Sequence, residues 1–306
     1  MTLPLAMPMD MDSHLLRTFV AVARCGSFSE AARELGYTQS AVSQHIAALE
    51  SDLGAVLLQR RPVSPTGIGV RLLEHAGPLL LRLDAARADI ARLTAAPATR
   101  IVIGVSPLAM TSQLTKTLAD MRQTQPLWEV TVRVLGREAI TRDVATAALD
   151  LGLVDGMAAP NDPLHLPDVG PLTAMAVTEQ PLAVALPAQH PLAGRTSLRL
   201  VDLADARWID APDIAIPLAQ LSTASGTDGY RASLRYEGTD VRGLLALTAA
   251  GHGLALLPQS TIDGIPGINA VLISAPRLVH RTGVLHGNAV DGPPALLASA
   301  LMAATE

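Results

Sequence analysis

The sequence predicts an α/β protein whose N-terminal region is all-helical. Three observations carry that expectation. Between Ser27 and Leu53 two amphipathic helical patterns flank a tight turn at Gly36. From Leu72 to Leu93 apolar residues recur at alternating spacings of four and three, a heptad seam over more than three repeats. From Ile101 onward, short β-branched runs alternate with helical patterns, which implies a parallel sheet with helices on its faces.

The first element is a helix from Asp12 or Ser13 to Gly26, with Leu15, Leu16, Phe19, Val20 and Ala23 as its inner stripe. Residues 1–11 before it read as a disordered tail. Ser27 and Glu30 then stand at capping-box spacing, and Ala31, Ala32 and Leu35 give the next helix a small-residue inner face that ends at Gly36. Thr38 caps the helix after that, in which Val42, Ile46, Leu49 and Leu53 form one buried stripe. Its opposite face shows Gln39, Ser40, Ser43, Gln44 and Ala47, so its first turn is short, polar and uncharged. Such a turn can enter a DNA major groove and read base edges. An ordinary amphipathic hairpin has the same periodicity.

Val56 to Leu58 suggest a short strand. Arg60 and Arg61 follow, and Pro62 and Pro65 bracket a turn that leads through Thr66 to Gly69 into a long helix from Val70 to about Thr94. No adjacent long helix offers its seam a partner within the chain. Leu72, Leu79, Leu83, Ile90 and Leu93 are therefore read as a homodimer contact. Pro78 inside the helix should kink it or loosen one turn, and Ala95 to Thr99 reads as a hinge.

The ordered run from Leu16 to Ala76, LLRTFVAVARCGSFSEAARELGYTQSAVSQHIAALESDLGAVLLQRR followed by PTGIGVRLLEHA, resembles the winged helix-turn-helix of LysR-type transcriptional regulators. The pieces LDLGLVDG (149–156), LPAQHPLAG (186–194), DLADARWI (202–209) and LTAAGHGLALLP (247–258) resemble that family's effector-binding region. The resemblance implies two α/β subdomains of periplasmic-binding-protein type with two crossovers and a cleft. The expected division is a winged helix-turn-helix at 12–69, a linker helix at 70–95, subdomain I at 100–177 and 268–306, and subdomain II at 178–267. It also makes the long helix the dimerising linker and extends the dimer to a tetramer of paired dimers. The chain departs from the family pattern at Ala47 and Ala48, where basic residues are frequent, and at Ser40, often proline.

On this reading the partner is double-stranded DNA. Gln39 and Ser40 contact bases, Ser43 and Gln44 bases or phosphates, and Arg60 or Arg61 the backbone, while Ser27 and Thr38 at the two helix starts complete the DNA-facing set. In the α/β part, ligands of an open sheet bind beyond the carboxyl ends of strands. That places Ser106, Pro107 and Thr111 after the first strand, Gly136 and Arg137 after the second, and Asp210 and Pro212 on the far wall. The resemblance puts Ser106 and Arg137 on or beside positions used for effector contact. A helix start and an arginine together suit a small polar or anionic effector. Aromatic residues make up only 2% of the chain, which disfavours recognition by stacking.

Composition bounds the alternatives. The net charge of -5 arises wholly after residue 96, since nine arginines balance nine acidic residues before it. DNA affinity per subunit should therefore be weak, and tight binding should need several domains together. One cysteine, Cys25, cannot form an internal disulfide. No apolar run approaches the ~20 residues that span a bilayer, and the acidic N-terminus does not read as a secretory signal; the expected compartment is the cytoplasm. GVSPL at 104–108 lacks the closing glycine of a nucleophile elbow, and no phosphate loop, dinucleotide fingerprint or helical zinc pair occurs. Neither enzyme, cofactor nor metal is expected. The rivals, a solute-binding protein or an enzyme using the α/β cleft, lack an export signal and a credible catalytic set respectively.

Overall fold

The computed structural model describes residues 11–94, 99–167, 169, 172–287 and 292–303. The chain divides into two compact units, with the division after Ala86. Residues 1–10 of the tail expected at 1–11, and residues 95–98 of the hinge expected at 95–99, lie outside the described residues.

In the first unit, α1 (Ser13–Cys25), α2 (Phe28–Leu35) and α3 (Gln39–Leu53) begin at Asp12, Ser27 and Thr38, whose side chains accept backbone N–H groups. They end at Gly26, Gly36 and Gly54, all left-handed. Such caps satisfy groups that a helix end otherwise leaves orphaned. Leu16, Phe19, Val22, Ala31, Ala32, Val42, Ile46 and Leu49 meet in one core. The hairpin of β1 (Leu58–Arg60) and β2 (Val63–Pro65) follows, then α4 (Gly67–Thr94). A Cβ on Gly69 would lie 2.1 Å from the Leu57 carbonyl oxygen, so this close approach of helix and strand needs glycine. The helix starts three residues earlier than its apolar pattern suggests, and Pro78 lies inside it without ending it. Ala76 and Leu80 are buried in the first unit's core and Leu72 packs against it, so this part of the long helix belongs to the first unit.

The second unit contains β3 (Arg100–Val105), a 3-10 turn at Pro107–Ala109, α5 (Ser112–Thr124), β4 (Glu129–Val134), α6 (Arg137–Ala145), β5 (Leu151–Ala158) and β6 (Leu172–Pro187). It continues with β7 (Ser197–Arg199), a second 3-10 turn at Leu200–Leu203, β8 (Arg207–Asp210), α7 (Leu218–Ser225), β9 (Arg231–Arg235), α8 (Val241–Ala249) and β10 (Ala255–Pro258). α9 (Gln259–Ile262), β11 (Ile268–Ala275), β12 (Val279–Gly287) and α10 (Pro293–Ala303) complete it.

The main sheet runs β4-β3-β5-β12-β6-β11-β7, with β10 also on β6. It is mixed and not wholly parallel: β3 is parallel to β4 and β5, but β12 is antiparallel to both β5 and β6. The long β6 spans two lobes. Its first part pairs with β12 as far as Pro181, and its last part, from Leu182, pairs with β10 and β11. Proline has no N–H to give a ladder, so the change of partners falls where a ladder bond is missing anyway. The second crossing lies between β11 and β12, not at 268 as the sequence suggests. β11 belongs to the second lobe, where Ile268 and Val271 are core residues. Both final strands carry the same kind of apolar run, and local pattern does not say which lobe each one joins.

Candidate functional site

In the first unit, Thr38 Oγ1 accepts from Ala41 N at 3.1 Å, which holds the start of α3. Gln39, Ser40 and Gln44 are exposed and Ser43 is half-buried. The first turn therefore presents amide and hydroxyl groups that the fold does not use. Ser27 Oγ accepts from Glu30 N at 3.3 Å and so serves as a cap. A cluster the sequence reading missed flanks the turn: the His14 and His45 rings lie edge to face at 4.6 Å, and His14 Nε2 meets the Tyr37 hydroxyl at 2.8 Å.

The two arginines of the hairpin differ. Arg60 Nη2 donates to Glu50 Oε2 at 3.4 Å, and its guanidinium sits 5.0 Å from the Phe28 ring centre. Glu50 Oε1 also accepts from Leu57 N at 2.8 Å and Leu58 N at 3.2 Å, tying α3 to the hairpin. Arg60 is thus partly committed to the fold, while Arg61 is exposed at the hairpin turn.

On α4, Leu79, Leu83, Ile90 and Leu93 are 47%, 43%, 65% and 69% exposed. That is an apolar stripe on a helix surface within a single chain. Leu72, by contrast, is half-buried against the first unit's own core.

In the second unit, the Arg137 side chain is engaged by the chain itself. Its Nη1 donates to Pro212 O at 2.9 Å and Ala215 O at 3.0 Å. Its Nη2 donates to Asp155 Oδ2 at 3.0 Å and Ile214 O at 3.1 Å. Only Nε is left, buried and without a partner. The residue joins the two lobes across the cleft. Asp213 from the same segment covers the start of α6: a Cβ on Gly136 would lie 1.9 Å from Asp213 Oδ1. The places read as an anion site are filled by the chain itself.

Asp155 is the centre of this arrangement and was not singled out by sequence, although it lies within LDLGLVDG. Burial pushes its pKa up, but Arg137 and then His280, whose Nε2 lies 2.9 Å from Oδ2, outweigh burial and bring it down to about 2. The Ser106 hydroxyl faces the carboxylate and adds to this, though it makes no hydrogen bond of ordinary geometry. Ser106 does not cap the following turn through its side chain. Thr111 caps α5, accepting from Leu114 N at 3.3 Å, and Asp210 lies 4.0 Å from Arg235. Beside the bridge is a cleft of about 650 Å³ lined by residues including Arg137, Glu138, Asp155, His165, Asp213 and Arg235. Pro212 also lines it; Ser106, Pro107, Thr111, Gly136 and Asp210 do not. Among the described residues, no group of three or more His, Cys, Asp or Glu is placed to hold a metal ion. No helix among them is long and apolar enough to cross a membrane.

Comparison with known proteins accounts for both units. Residues 13–75 match the bacterial regulatory helix-turn-helix protein family of lysR type, and residues 94–298 match the LysR substrate binding domain. The chain is 30% identical over 281 residues to a Mycobacterium avium protein described as "Probable hydrogen peroxide-inducible genes activator", covering 88% of this chain and 86% of the relative. It is 29% identical over 255 residues to the HTH-type transcriptional regulator BudR of Raoultella terrigena, covering 82% and 85%. Full-length BenM has a similar fold, with a TM-score of 0.54, 24% identity and 96% of each chain covered. So does full-length CbnR complexed with its target DNA, with a TM-score of 0.51, 20% identity and coverage of 97% and 100%. The chain belongs to the LysR family of DNA-binding transcriptional regulators with an effector-binding domain.

Proposed function

We propose that the first turn of α3 enters a DNA major groove and that a small molecule in the lobe cleft modulates this binding. The observation that carries the reading is the capped, exposed turn in which Gln39, Ser40 and Gln44 have no structural duty. Gln39 and Ser40 read base edges there, Ser43 and Gln44 contact bases or phosphates, and Arg61 contacts the backbone. Ser27 and Thr38 hold the helix starts that face the DNA.

The DNA-binding part carries no net charge, so a single copy binds weakly. Two copies joined along Leu79, Leu83, Ile90 and Leu93 present paired domains and gain by effective concentration. The exposed stripe supports that homodimer, and a pair of dimers extends it. The protein works in the cytoplasm and is not an enzyme.

A thiol-based peroxide response is not favoured, although one relative's name mentions peroxide. The single cysteine, Cys25, is pushed up in pKa by burial and then by Glu34, which disfavours the reactive thiolate. Sequencing of genomic fragments bound by the full chain, followed by operator footprints with and without fractionated cell metabolites, tests the proposal. A single shared operator motif and a metabolite-dependent footprint are expected. Binding without sequence preference would refute it.

A further inference from the structure

We infer that His14, Tyr37 and His45 form a second contact to DNA beside the first turn of α3, a contact that holds a backbone phosphate and takes up a proton in doing so. The inference rests on the reading of α3 as the element that meets DNA. The three rings lie edge to face, with centroids 4.6 Å apart for His14 and His45, 5.4 Å for His14 and Tyr37 and 5.5 Å for Tyr37 and His45. Tyr37 immediately precedes the Thr38 cap and is 42% exposed, so the cluster adjoins the exposed residues Gln39 and Ser40.

A backbone phosphate only accepts hydrogen bonds, so the donors decide what the cluster can hold. Thr18 Oγ1 has one hydrogen and gives it to the His14 carbonyl at 3.1 Å. It can then only accept from His45 Nδ1, 3.2 Å away, which fixes the proton of the neutral ring on Nδ1. His45 Nε2 is left as a bare lone pair, without a partner and open to solvent. It repels a phosphate until it gains a proton and donates to one afterwards. The pair of His14 and Tyr37 needs no such change. Whichever of the two donates in their 2.8 Å bond, either His14 Nδ1–H or the Tyr37 hydroxyl hydrogen is left over.

Charge argues the same way. Basic and acidic residues balance in the DNA-binding part, and Arg17, Arg24, Arg60 and Arg71 are already paired with Asp84, Glu34, Glu50 and Glu74. An imidazolium adds a positive charge that those arginines do not supply. The charged and titratable groups about the rings are Asp12, whose Oδ1 accepts from His14 N at 2.8 Å, Arg17 with its partner Asp84, and Tyr37. On α3 the residues three and four places from His45 are Ala41, Val42, Ala48 and Leu49, none of them charged. The two imidazoles are in contact and a second cation would be repelled by the first, so one proton is taken up per subunit.

The test titrates the full chain into a fluorescent random-sequence duplex at about pH 8 and about pH 6, the span across which imidazole gains its charge, at matched salt. Affinity is expected to rise about fivefold on going to the lower pH. The slope of log affinity against log salt should steepen there by roughly one ion. In His45→Gln, which keeps a donor for Thr18 and cannot take the proton, the ratio of the two affinities should fall to about one. Should that variant fail to fold, the salt slopes of the parent chain decide. Equal affinities at the two pH values, an unchanged salt slope, or a ratio that survives in His45→Gln would each overturn the contact. The reading of α3 would then still stand, because Gln39→Ala on operator and random DNA decides it separately. Binding at neither pH would overturn both.

Discussion

Arg137, the first residue of α6, donates to the carbonyl of Pro212 at 2.9 Å, and through that bond the end of β4 in one lobe is fastened to the segment after β8 in the other. The same guanidinium holds Asp155, so one side chain both neutralises a buried carboxylate and keeps the lobes together. A molecule that alters the lobe angle must work against these bonds.

Replacing Arg137 with alanine should therefore cost more than an exposed ion pair would. It leaves a carboxylate that is 1% exposed with His280 as its remaining partner, and removing one partner of a buried ion pair costs about 3–5 kcal/mol. The measurement is urea unfolding of the second unit's transition at neutral pH. A midpoint equal to that of the parent chain would show that the bridge contributes nothing.

The same carboxylate makes an acid prediction. The pKa of Asp155 lies at about 2 in the fold, below its ordinary value of 3.8. The folded state therefore gains stability that is fully present above the ordinary value and is lost as pH falls from there through about 2. The gain is about 2 kcal/mol. Asp155→Asn should flatten the pH dependence in that window. An unchanged slope in denaturation series between neutral and strongly acidic buffers would contradict it.

Leu83→Asp puts a charge in the exposed stripe of α4. In a lone chain it is harmless, because the side chain is 43% exposed. In a helix pair it buries an unpaired charge, which costs several kcal/mol. Sedimentation should show the variant with half the native mass and with weaker operator binding. Native mass together with native affinity would exclude the seam.

Gln39 and Arg61 should fail in different ways. A glutamine amide paired with adenine is worth about 1–3 kcal/mol of discrimination, so Gln39→Ala should weaken binding to the operator and leave random DNA nearly unaffected. Arg61→Ala should weaken both alike and reduce the salt dependence by roughly one ion. Titrations of each variant on both DNAs at two salt concentrations separate these patterns. Arg60→Ala should act mainly on stability, since its guanidinium already holds Glu50 and Phe28.

The helix-turn-helix was legible because its information is local. Caps at Ser27 and Thr38, left-handed glycines at 36 and 54 and one apolar stripe per helix each lie within a few residues of what they specify. The linker seam was legible for the same reason, though periodicity did not reveal that Leu72 is half claimed by the first unit's core while Leu83 stays exposed. α7 and β9 are not legible locally, because LAQLSTAS and RASLR carry weak apolar signals. Nor is the first part of β6, because polar residues and Pro181 interrupt it.

The sequence by itself thus determined the family, the helix-turn-helix and the alternation of strands and helices after it, all of which rest on neighbours in the chain. Only the tertiary structure decided the lobe that β11 joins, the different duties of Arg60 and Arg61, and the chemistry of the cleft. Arg137 lies 18 positions from Asp155 and 75 from Pro212, and His280 lies 125 from Asp155. No periodicity reaches across such separations. Whether an arginine grips a ligand or its own chain depends on which carbonyls folding brings within hydrogen-bonding distance.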